Sequence, residues 1–518
     1  MSAVDTARRL VERVLAAGST DAVLSPGSRS GPLALALHAA DAQGLLRLHV
    51  RVDEREAAFV ELGLAQVQRR PVPVVTTSGT AVANLHPALL EAVHTGVPIV
   101  AVTADRPARL RGTGANQTTQ QVRIFPLVPY AEDVDAIRPG LDYPLQLNLE
   151  LDEPLIEPVV WEFSTPDVVR SPGGALSVTG LDASRRTVVV AGDGAGRRAR
   201  ELAESAGWPL LAEPSSGARS GPHAIAAYRL LLRGDLAGRI EQVVSFGHST
   251  LSRPVTALLG RADLDIVHVG DQRTFPAAGG PRVRFVDDVE ADGEADPAWL
   301  AAWQAASQAA QAAIGSVLDG STPYDVARTV DAAVPDGGLL VVGSSNPIRD
   351  LDLVGDTGPS DRTVLANRGL AGIDGMLSTA VGAALAHGPA RAIAFVGDLT
   401  FLHGSNGLLI GPDEPRPDLT IVVVNDDGGS IFASLEQGAD DYAHAFERVY
   451  ATPTGADLGA LCAGYRIAHR RVGAADLEAA LSEAPAGIEV VEVPIARTDR
   501  RALGARLAEA VASATPSR

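Results

Sequence analysis

Two acidic residues in the C-terminal half of the chain each follow an apolar segment. Asp398 comes after the apolar run 393–396, and Asp426, 28 residues further on, comes after the β-branched run 419–424. Residues 401–409, between them, predict a short helix. Because a right-handed crossover sets two such strands parallel and close together, both carboxylates are expected at the carboxyl edge of one sheet, where open α/β sheets bind ligands.

These two acids and the glycines beside them suit a bound cation and a phosphate. Two carboxylates at one sheet edge repel each other unless a positive charge lies between them. Mg²⁺ fits this pair, because it accepts carboxylate, carbonyl, water and phosphate oxygens in octahedral geometry. Gly428 and Gly429 follow Asp426, and they allow the backbone to approach a phosphate without a Cβ in the way.

Composition narrows the class of protein. A chain of 518 residues is too long for one hydrophobic core and predicts several domains. No apolar run reaches the ~18 residues that a membrane span needs, and the N-terminus lacks the apolar segment of a signal peptide. The net charge of −19 argues against nucleic acid or an anionic membrane as a partner. The single cysteine, Cys462, excludes an internal disulfide, and we expect a cytoplasmic protein.

The chain contains no lysine, so all 44 basic residues are arginine. This excludes Schiff-base chemistry on a lysine and the usual P-loop, both of which need the lysine amine. Any anionic substrate must therefore be held by arginine, whose planar guanidinium binds carboxylates with two hydrogen bonds.

Alternating strand and helix patterns predict an α/β protein with doubly wound parallel sheets. In the first 165 residues, strands are predicted at 22–24, 46–52, 72–76 and 98–103, and each ends in polar residues. Glu54 follows the second of these strands, in the first turn of a helix. An acidic residue there is favourable for the helix dipole alone, but a partly desolvated glutamate at a strand end is also suited to proton transfer.

The middle of the chain contains a glycine-rich turn after a predicted strand. Gly192–Gly196 reads GDGAG and opens a helix, as in dinucleotide-binding proteins. The full GxGxxG spacing is missing, so a Rossmann-like domain without nucleotide is favoured. We predict three domains, at residues 1–170, 171–300 and 301–518.

Several longer segments carry a specific resemblance, spread over both ends of the chain. They are SPGSRSGPLALAL (25–37), VDEREAAFVELGLA (52–65), TSGTAVANLHPALLEA (77–92), TADRP (103–107), GANQ (114–117), SSNPIRDLD (344–352), ANRGLAGIDGMLSTAVGAAL (366–385), GDLTFLHGSNGLL (397–409), NDDGGSIF (425–432) and FERVY (446–450). Together they resemble the 2-succinyl-5-enolpyruvyl-6-hydroxy-3-cyclohexene-1-carboxylate (SEPHCHC) synthases. This family comprises thiamine-diphosphate-dependent transferases of menaquinone biosynthesis.

The resemblance implies a fold, a cofactor and a set of binding residues. The three domains would be a pyrimidine-binding, a central Rossmann-like and a diphosphate-binding domain. Mg²⁺ or Mn²⁺ would be held by the side chains of Asp398 and Asp426 and by the carbonyl of Gly428, although many relatives have Asn where Asp426 stands. Thiamine diphosphate would further contact Glu54, Ser378, Gly397, Leu399, Gly429 and Ile431, with Glu54 activating its aminopyrimidine ring.

The resemblance also implies the reaction and the residues around the substrates. 2-Oxoglutarate would lose CO₂, and its succinyl carbanion equivalent would add to isochorismate. Both substrates are dicarboxylates, and no nucleic acid or membrane is involved. The implied substrate-site residues are Ser28, Arg29, Arg106, Asn116, Gln117, Ser345, Arg349, Arg368, Ile431 and Phe432. The cofactor would lie at the interface of a homodimer or homotetramer.

Two alternatives remain open from the residues. The first is another thiamine diphosphate enzyme, such as an acetolactate synthase or a 2-oxo acid decarboxylase. The second is a non-catalytic dinucleotide-binding regulator that uses Gly192–Gly196. Arg253 lies near the predicted site by loose resemblance only.

Overall fold

The apolar segments of the chain form the strands of parallel sheets. The computed structural model describes residues 2–164, 177–270, 283–497 and 499–515. The described residues form two compact units. The first draws on Met1–Gly173, Ile373–Pro389 and Phe401–Asp418, and the second on Gly174–Gly372, Ala390–Thr400 and Leu419–Arg518.

The first unit contains a six-stranded parallel sheet in the order β2-β1-β3-β4-β6-β5. Its strands are β1 (Asp21–Leu24), β2 (Arg47–Val50), β3 (Val72–Thr76), β4 (Ile99–Asp105), β5 (Tyr130–Ala131) and β6 (Leu145–Glu150). The helices of this segment are α1 (Ala3–Ala16), α2 (Gly31–Ala42), α3 (Glu54–Gln68), α4 (Thr80–Asn84) and α5 (His86–Thr95). Strand order reverses beside β1, as in a doubly wound sheet.

The second unit begins with a five-stranded parallel sheet in the order β12-β11-β10-β8-β9 and a two-stranded ribbon, β13-β7. These strands are β7 (Val178–Asp182), β8 (Thr187–Ala191), β9 (Leu210–Ala212), β10 (Gln242–Phe246), β11 (Asp265–Val269), β12 (Val283–Val286) and β13 (Asp288–Asp292). The helices here are α6 (Arg197–Ala206), α7 (Tyr228–Leu231), α8 (Asp235–Gly238) and α9 (Arg253–Leu259).

The second unit also contains a six-stranded parallel sheet in the order β15-β14-β16-β17-β19-β18. Its strands are β14 (Leu339–Val342), β15 (Thr363–Leu365), β16 (Ala392–Gly397), β17 (Leu419–Asn425), β18 (Ala468–Arg471) and β19 (Ile488–Pro494). The helices of this part of the chain are α10 (Pro297–Val317), α11 (Pro323–Ala332), α12 (Asn346–Val354), α13 (Met376–His387), α14 (Asp398–His403), α15 (Ala443–Phe446), α16 (Leu458–Gly464), α17 (Leu477–Leu481) and α18 (Arg500–Ala514). Of these, α13 belongs to the first unit.

The strands predicted around the acidic pair are confirmed, with a small correction to the helix between them. β16 and β17 pair in parallel, with Gly397 opposite Val424. The helix predicted at 401–409 begins earlier, at Asp398, directly after the strand, and continues as a short 3₁₀ helix at Ser405–Leu408. This places Asp398 at the N-terminal end of α14.

Helix α3 is almost wholly buried against α13 in the first unit. It is buried from Glu56 to Gln66, and the contact leaves no room for side chains at two glycines. A Cβ at Gly63 would overlap the carbonyl oxygen of Thr379, and a Cβ at Gly382 would overlap that of Val60. The two backbones therefore pack directly against each other.

The predicted α/β architecture with parallel sheets is confirmed, while the three-domain division stays a proposal. The predicted boundary at 170/171 lies outside the described residues, and the boundary at 300/301 falls inside α10. Among the described residues, no helix is both long and apolar enough to cross a membrane.

Candidate active site

Glu54 is the first residue of α3 and lies just beyond the carboxyl end of β2. The helix starts here because the side chain of Asp53 accepts hydrogen bonds from the N–H groups of Arg55 and Glu56. Glu54 is half-buried, and Asn84 donates to its Oε2 at 3.1 Å. Its carboxylate is therefore oriented by a neighbour while still open to a ligand.

Glu56, one turn into the same helix, is a second acidic residue that the sequence did not single out. It is buried, with Ser378 Oγ donating to its Oε2 at 2.5 Å and Arg55 Nη2 donating to its Oε1 at 2.9 Å. Burial raises the pKa of Glu56 to about 7. Ser378, predicted to contact the cofactor, thus has a protein partner in this structure.

Arg29 lies in the loop after β1, beside exposed Ser28. Its side chain is buried, Nη1 donates to the carbonyl oxygen of Leu151 at 3.0 Å, and Nε has no partner among the described residues. A buried guanidinium with an unused N–H retains capacity to bind an anion.

The loop after β4 brings the remaining predicted residues of this unit together. Arg106 Nη2 donates to the carbonyl oxygen of Asn116 at 2.6 Å. Ser78 Oγ donates to the carbonyl oxygen of Gln117 at 2.8 Å, and Gln117 has a φ of +56°. The side chains of Asn116 and Gln117 are exposed. Ser28, Arg29, Arg106, Asn116 and Gln117 therefore lie in loops that follow β1 and β4, while Glu54 begins helix α3.

Asp398 and Asp426 lie at neighbouring strand ends in the second unit, beyond β16 and β17. Asp398 is only 3% exposed, and its carboxylate accepts hydrogen bonds from the N–H groups of Leu399 and Gly428. Burial and the nearby Asp426 carboxylate raise the pKa of Asp398 to about 7. Burial also raises the pKa of Asp426, whose carboxylate accepts a hydrogen bond from Ser430.

The residues present fit a divalent cation that carries a diphosphate. Two carboxylates that repel each other, the buried Asp398 and the half-buried Asp426, are stabilised by a cation between them. The described residues contain no group of three or more His, Cys, Asp or Glu side chains suited to a metal. A metal bound at Asp398, Asp426 and the Gly428 carbonyl must therefore complete its shell with other oxygens, and Mg²⁺ does so with phosphate and water.

Ser345 and Arg349 lie at the carboxyl end of β14, where the backbone is strained. Ser345 has a φ of +73°, and its carbonyl oxygen accepts a hydrogen bond from Arg349 Nη1 at 2.6 Å. Burial and the nearby cations Arg368 and Arg229 lower the pKa of Arg349 to about 10. Like charges held this close are characteristic of a site for anions.

Arg368, beyond the end of β15, is the second buried cation of this cluster. It is 2% exposed, and its Nη2 donates to Thr250 Oγ1 at 3.3 Å. Its Nε and Nη1 have no hydrogen-bond partner among the described residues. These two nitrogens retain hydrogen-bonding capacity for a bound anion.

A cavity of about 430 Å³ in the second unit is lined by Arg349 and Ile431. Five further arginines line this cavity, Arg229, Arg233, Arg253, Arg500 and Arg501, and its described lining contains no acidic side chain. Phe432, next to Ile431, packs against Tyr450 with ring centroids 5.7 Å apart. The cavity lining is therefore cationic on a protein whose net charge is −19, and three of its arginines form ion pairs with acids outside the lining: Arg229 with Asp352, Arg253 with Glu436 and Arg500 with Asp350.

Comparisons with known proteins identify the family. Residues 4–124 match the family "Thiamine pyrophosphate enzyme, N-terminal TPP binding domain", and residues 357–493 match its C-terminal counterpart. The chain is 54% identical to the SEPHCHC synthase of Nocardioides sp., over 98% of this chain and 97% of that protein. It is 46% identical to the same enzyme of Kineococcus radiotolerans and 43% identical to that of Saccharopolyspora erythraea, with 98% of both chains covered in each case.

The chain belongs to the SEPHCHC synthase family. A solved structure with a similar fold is benzoylformate decarboxylase from Polynucleobacter necessarius, with a TM-score of 0.66 and 17% identity. That likeness covers 96% of this chain and 99% of the other, and it supports the fold assignment.

In this SEPHCHC synthase family member, the N–H groups of the glycine-rich turn Gly192–Gly196 are all used in hydrogen bonds within the protein. Each of its five N–H groups donates to a carbonyl oxygen of the protein, so none points free toward a phosphate. Asp193 also forms a β-bridge with His248 across the point where strand order reverses. This geometry disfavours the dinucleotide-binding alternative, because such sites use free N–H groups at that turn.

Sequence reasoning missed Glu56 and most of the cavity arginines. Glu56 differs from an ordinary helix acid in being buried and in accepting a hydrogen bond from Ser378, which is 322 residues away in the sequence. Arg229 and Arg500 come from helices α7 and α18, and each lies beside a buried aspartate, Asp352 or Asp350. The absence of lysine did indicate the type of residue to look for, because every lysine-or-arginine position in a cavity lining had to be an arginine.

Proposed function

We propose that this protein catalyses SEPHCHC synthesis as a thiamine diphosphate- and Mg²⁺-dependent transferase. It would decarboxylate 2-oxoglutarate and join the remaining succinyl unit to isochorismate, within menaquinone biosynthesis in the cytoplasm. The cavity lined by six arginines and no described acid is the observation that carries this proposal, because both substrates are dicarboxylates. Arginine binds carboxylates with two aligned hydrogen bonds, which fixes orientation as well as charge.

The cofactor site proposed for this reaction uses the acidic pair. Asp398, Asp426 and the carbonyl of Gly428 would hold Mg²⁺ or Mn²⁺, with Gly397, Leu399 and Gly429 beside the diphosphate. Bound thiamine diphosphate would supply an electron sink for the loss of CO₂. Ile431 would support the cofactor, and Phe432 would line the pocket beside it.

Glu54 is proposed to bind the aminopyrimidine ring and to exchange a proton with it. Its position supports this role, because Asn84 orients a carboxylate that is only half-buried. A carboxylate that accepts the ring's proton at hydrogen-bonding distance acts as a general base. Ser378, bound to Glu56, would reach the cofactor from the neighbouring helix.

Arginines are also proposed to bind the two substrates. Arg349 is half-buried and Arg368 is buried, and two nitrogens of Arg368 have no hydrogen-bond partner among the described residues, which leaves them for an anion. Arg29 and Arg106, in the loops after β1 and β4, would bind a second carboxylate. Ser28, Asn116, Gln117 and Ser345 would orient the remaining polar groups.

We propose a homodimer or homotetramer in which each cofactor lies between the N-terminal domain of one subunit and the C-terminal domain of another. The resemblance to the family supports this arrangement. It makes assembly a condition for activity.

Titration calorimetry with thiamine diphosphate, with and without Mg²⁺, tests the cofactor site. We expect tight binding only when Mg²⁺ is present, and loss of that binding in Asp398→Asn. Failure of the wild-type protein to bind thiamine diphosphate at millimolar Mg²⁺ would overturn the proposal.

Product analysis with 2-oxoglutarate and isochorismate tests the reaction. We expect CO₂ release together with consumption of isochorismate. Release of CO₂ from 2-oxoglutarate with isochorismate left unchanged would instead indicate a 2-oxo acid decarboxylase.

A further inference from the structure

The metal-binding turn proposed above is held in an uncommon backbone shape. Asp427 has a φ of +51° and Gly428 a φ of +147°, immediately after Asp426. Such conformations persist only where surrounding contacts fix them. The contacts of this turn therefore show what keeps its carbonyl groups in place.

One of these contacts is the side chain of Arg497, which follows β19. Its Nη1 donates to the carbonyl oxygen of Asp426 at 3.1 Å and also to that of Asp427. Its Nη2 donates to the carboxylate of Glu447. The guanidinium is 17% exposed, so it is fixed between the turn and residue 447.

The opposite side of the turn is held by the segment that follows Glu447. Gly429 N–H donates to the carbonyl oxygen of Ala451 at 2.8 Å. Asp427 Oδ1 accepts hydrogen bonds from the N–H groups of Thr454 and Gly455, both at 3.0 Å. Arg497 thus ties two successive carbonyl groups of the turn to Glu447. The next carbonyl oxygen, that of Gly428, accepts a hydrogen bond from the N–H of Ser430 at 3.0 Å.

We propose that Arg497 is a positioning residue for the metal site, setting the direction of the carbonyl at Gly428 through the two carbonyl groups before it. This inference rests on the proposed function, because it assigns Arg497 to the cation that Asp398 and Asp426 would hold. Residues that orient metal ligands in this way typically change metal affinity by about 10–100-fold when they are replaced.

Whether Mg²⁺ affinity rises or falls when Arg497 is replaced distinguishes a positioning role from a purely electrostatic one. Removing a nearby positive charge strengthens cation binding if charge alone matters. Removing the groups that hold the turn weakens cation binding, because the turn can relax away from the geometry that Mg²⁺ requires. Arg497→Met removes both the charge and the hydrogen bonds, so it distinguishes the two.

Calorimetric titration of the protein with Mg²⁺ in the presence of excess thiamine diphosphate provides the main test. For Arg497→Met we expect Mg²⁺ affinity to fall about 10–100-fold, with turnover restored by excess Mg²⁺. The matched control Arg506→Met, on exposed α18 surface, should keep wild-type affinity. Thermal melting without cofactor should be similar for wild type and both variants.

Three results would overturn the inference. One is unchanged or tighter Mg²⁺ binding in Arg497→Met, and another is equal loss of affinity in Arg506→Met. If Arg497→Met melts much earlier than wild type, Arg497→Lys becomes the test variant. Lysine keeps the charge, but it cannot contact the two carbonyl groups and Glu447 together. Wild-type Mg²⁺ affinity in Arg497→Lys is therefore the third result that would overturn the inference. Failure of the wild type itself to bind Mg²⁺ and thiamine diphosphate would instead overturn the proposed function.

Discussion

At the scale of single residues, α3 presents two glutamates that differ in environment. Glu54 is half-buried and receives one hydrogen bond from Asn84, whereas Glu56 is buried between Ser378 and Arg55. The exposed side of Glu54 is free for a ligand, and both oxygens of Glu56 already have protein partners. The pair thus divides into a carboxylate that is partly open to solvent and one that is engaged by protein partners.

Glu54→Gln tests the role of the first glutamate. The amide keeps the shape and still accepts the Asn84 hydrogen bond, but it cannot take a proton. We expect turnover to fall by about 100-fold or more, with thiamine diphosphate affinity and melting temperature nearly unchanged. Glu12→Gln, at an exposed acid on α1, is the control. Near-normal turnover in Glu54→Gln would reject the proposed role.

Glu56→Gln tests the second glutamate through the pH dependence of stability. With a folded-state pKa near 7, against an ordinary 4.5, the folded protein binds more protons than the unfolded chain between those values. Wild-type stability therefore falls as pH rises from 4.5 to 7, and the variant lacks this loss. The free energy of unfolding, measured with urea and without cofactor, should shift in favour of the variant by up to about 3 kcal/mol relative to wild type between pH 5 and pH 8.

Ser378→Ala provides the companion variant for this measurement. The Ser378 hydrogen bond lowers the pKa of Glu56, so its removal should extend the loss of stability to higher pH. A difference between Glu56→Gln and wild type that is the same at both pH values would contradict the buried-acid interpretation.

At the scale of elements, direct contact between α3 and α13 positions Glu54 and Glu56. Gly63 and Gly382 allow this contact, because any Cβ there would overlap a carbonyl oxygen of the other helix. The glycines are required by close approach, since neither has a positive φ.

Gly382→Ala tests this contact. The added methyl group must push the helices apart, which costs about 1–3 kcal/mol in a well-packed core. The control is Gly315→Ala in α10, where the new Cβ meets nothing within 4 Å and should stabilise by about 0.5–1 kcal/mol through helix propensity. Thermal unfolding should therefore shift in opposite directions for the two variants, and equal shifts would contradict the packing argument.

The elements were predictable from the sequence wherever an apolar run ended in polar residues. The strands before Asp398, Asp426 and Glu54 were placed to within a few residues, because β-branched runs and glycine-rich turns act locally. The predictions missed Glu56 and Arg497, whose surroundings come from residues distant in sequence. Glu56 accepts a hydrogen bond from Ser378, and Arg497 donates one to Glu447.

At the scale of the whole molecule, charge is distributed unevenly. The protein carries a net charge of −19, while the described lining of the cavity in the second unit has six arginines and no acid. A concave site lined by one sign of charge concentrates field and attracts ligands of the opposite sign. Dicarboxylate substrates would therefore be drawn to the arginines of this cavity that are not paired with an acid, despite the overall negative charge.

Assembly is the last property at this scale, and the proposed subunit interface makes it testable. If two subunits share each cofactor, thiamine diphosphate binding and association must strengthen each other reciprocally. Sedimentation should then give a mass at least twice the 53.6 kDa of one chain, and cofactor with Mg²⁺ should preserve that species at lower protein concentration. Mg²⁺ alone is the control and should have a smaller effect. Specific activity should fall on dilution together with the sedimenting mass, whereas a fully active 53.6 kDa monomer would contradict a shared cofactor site.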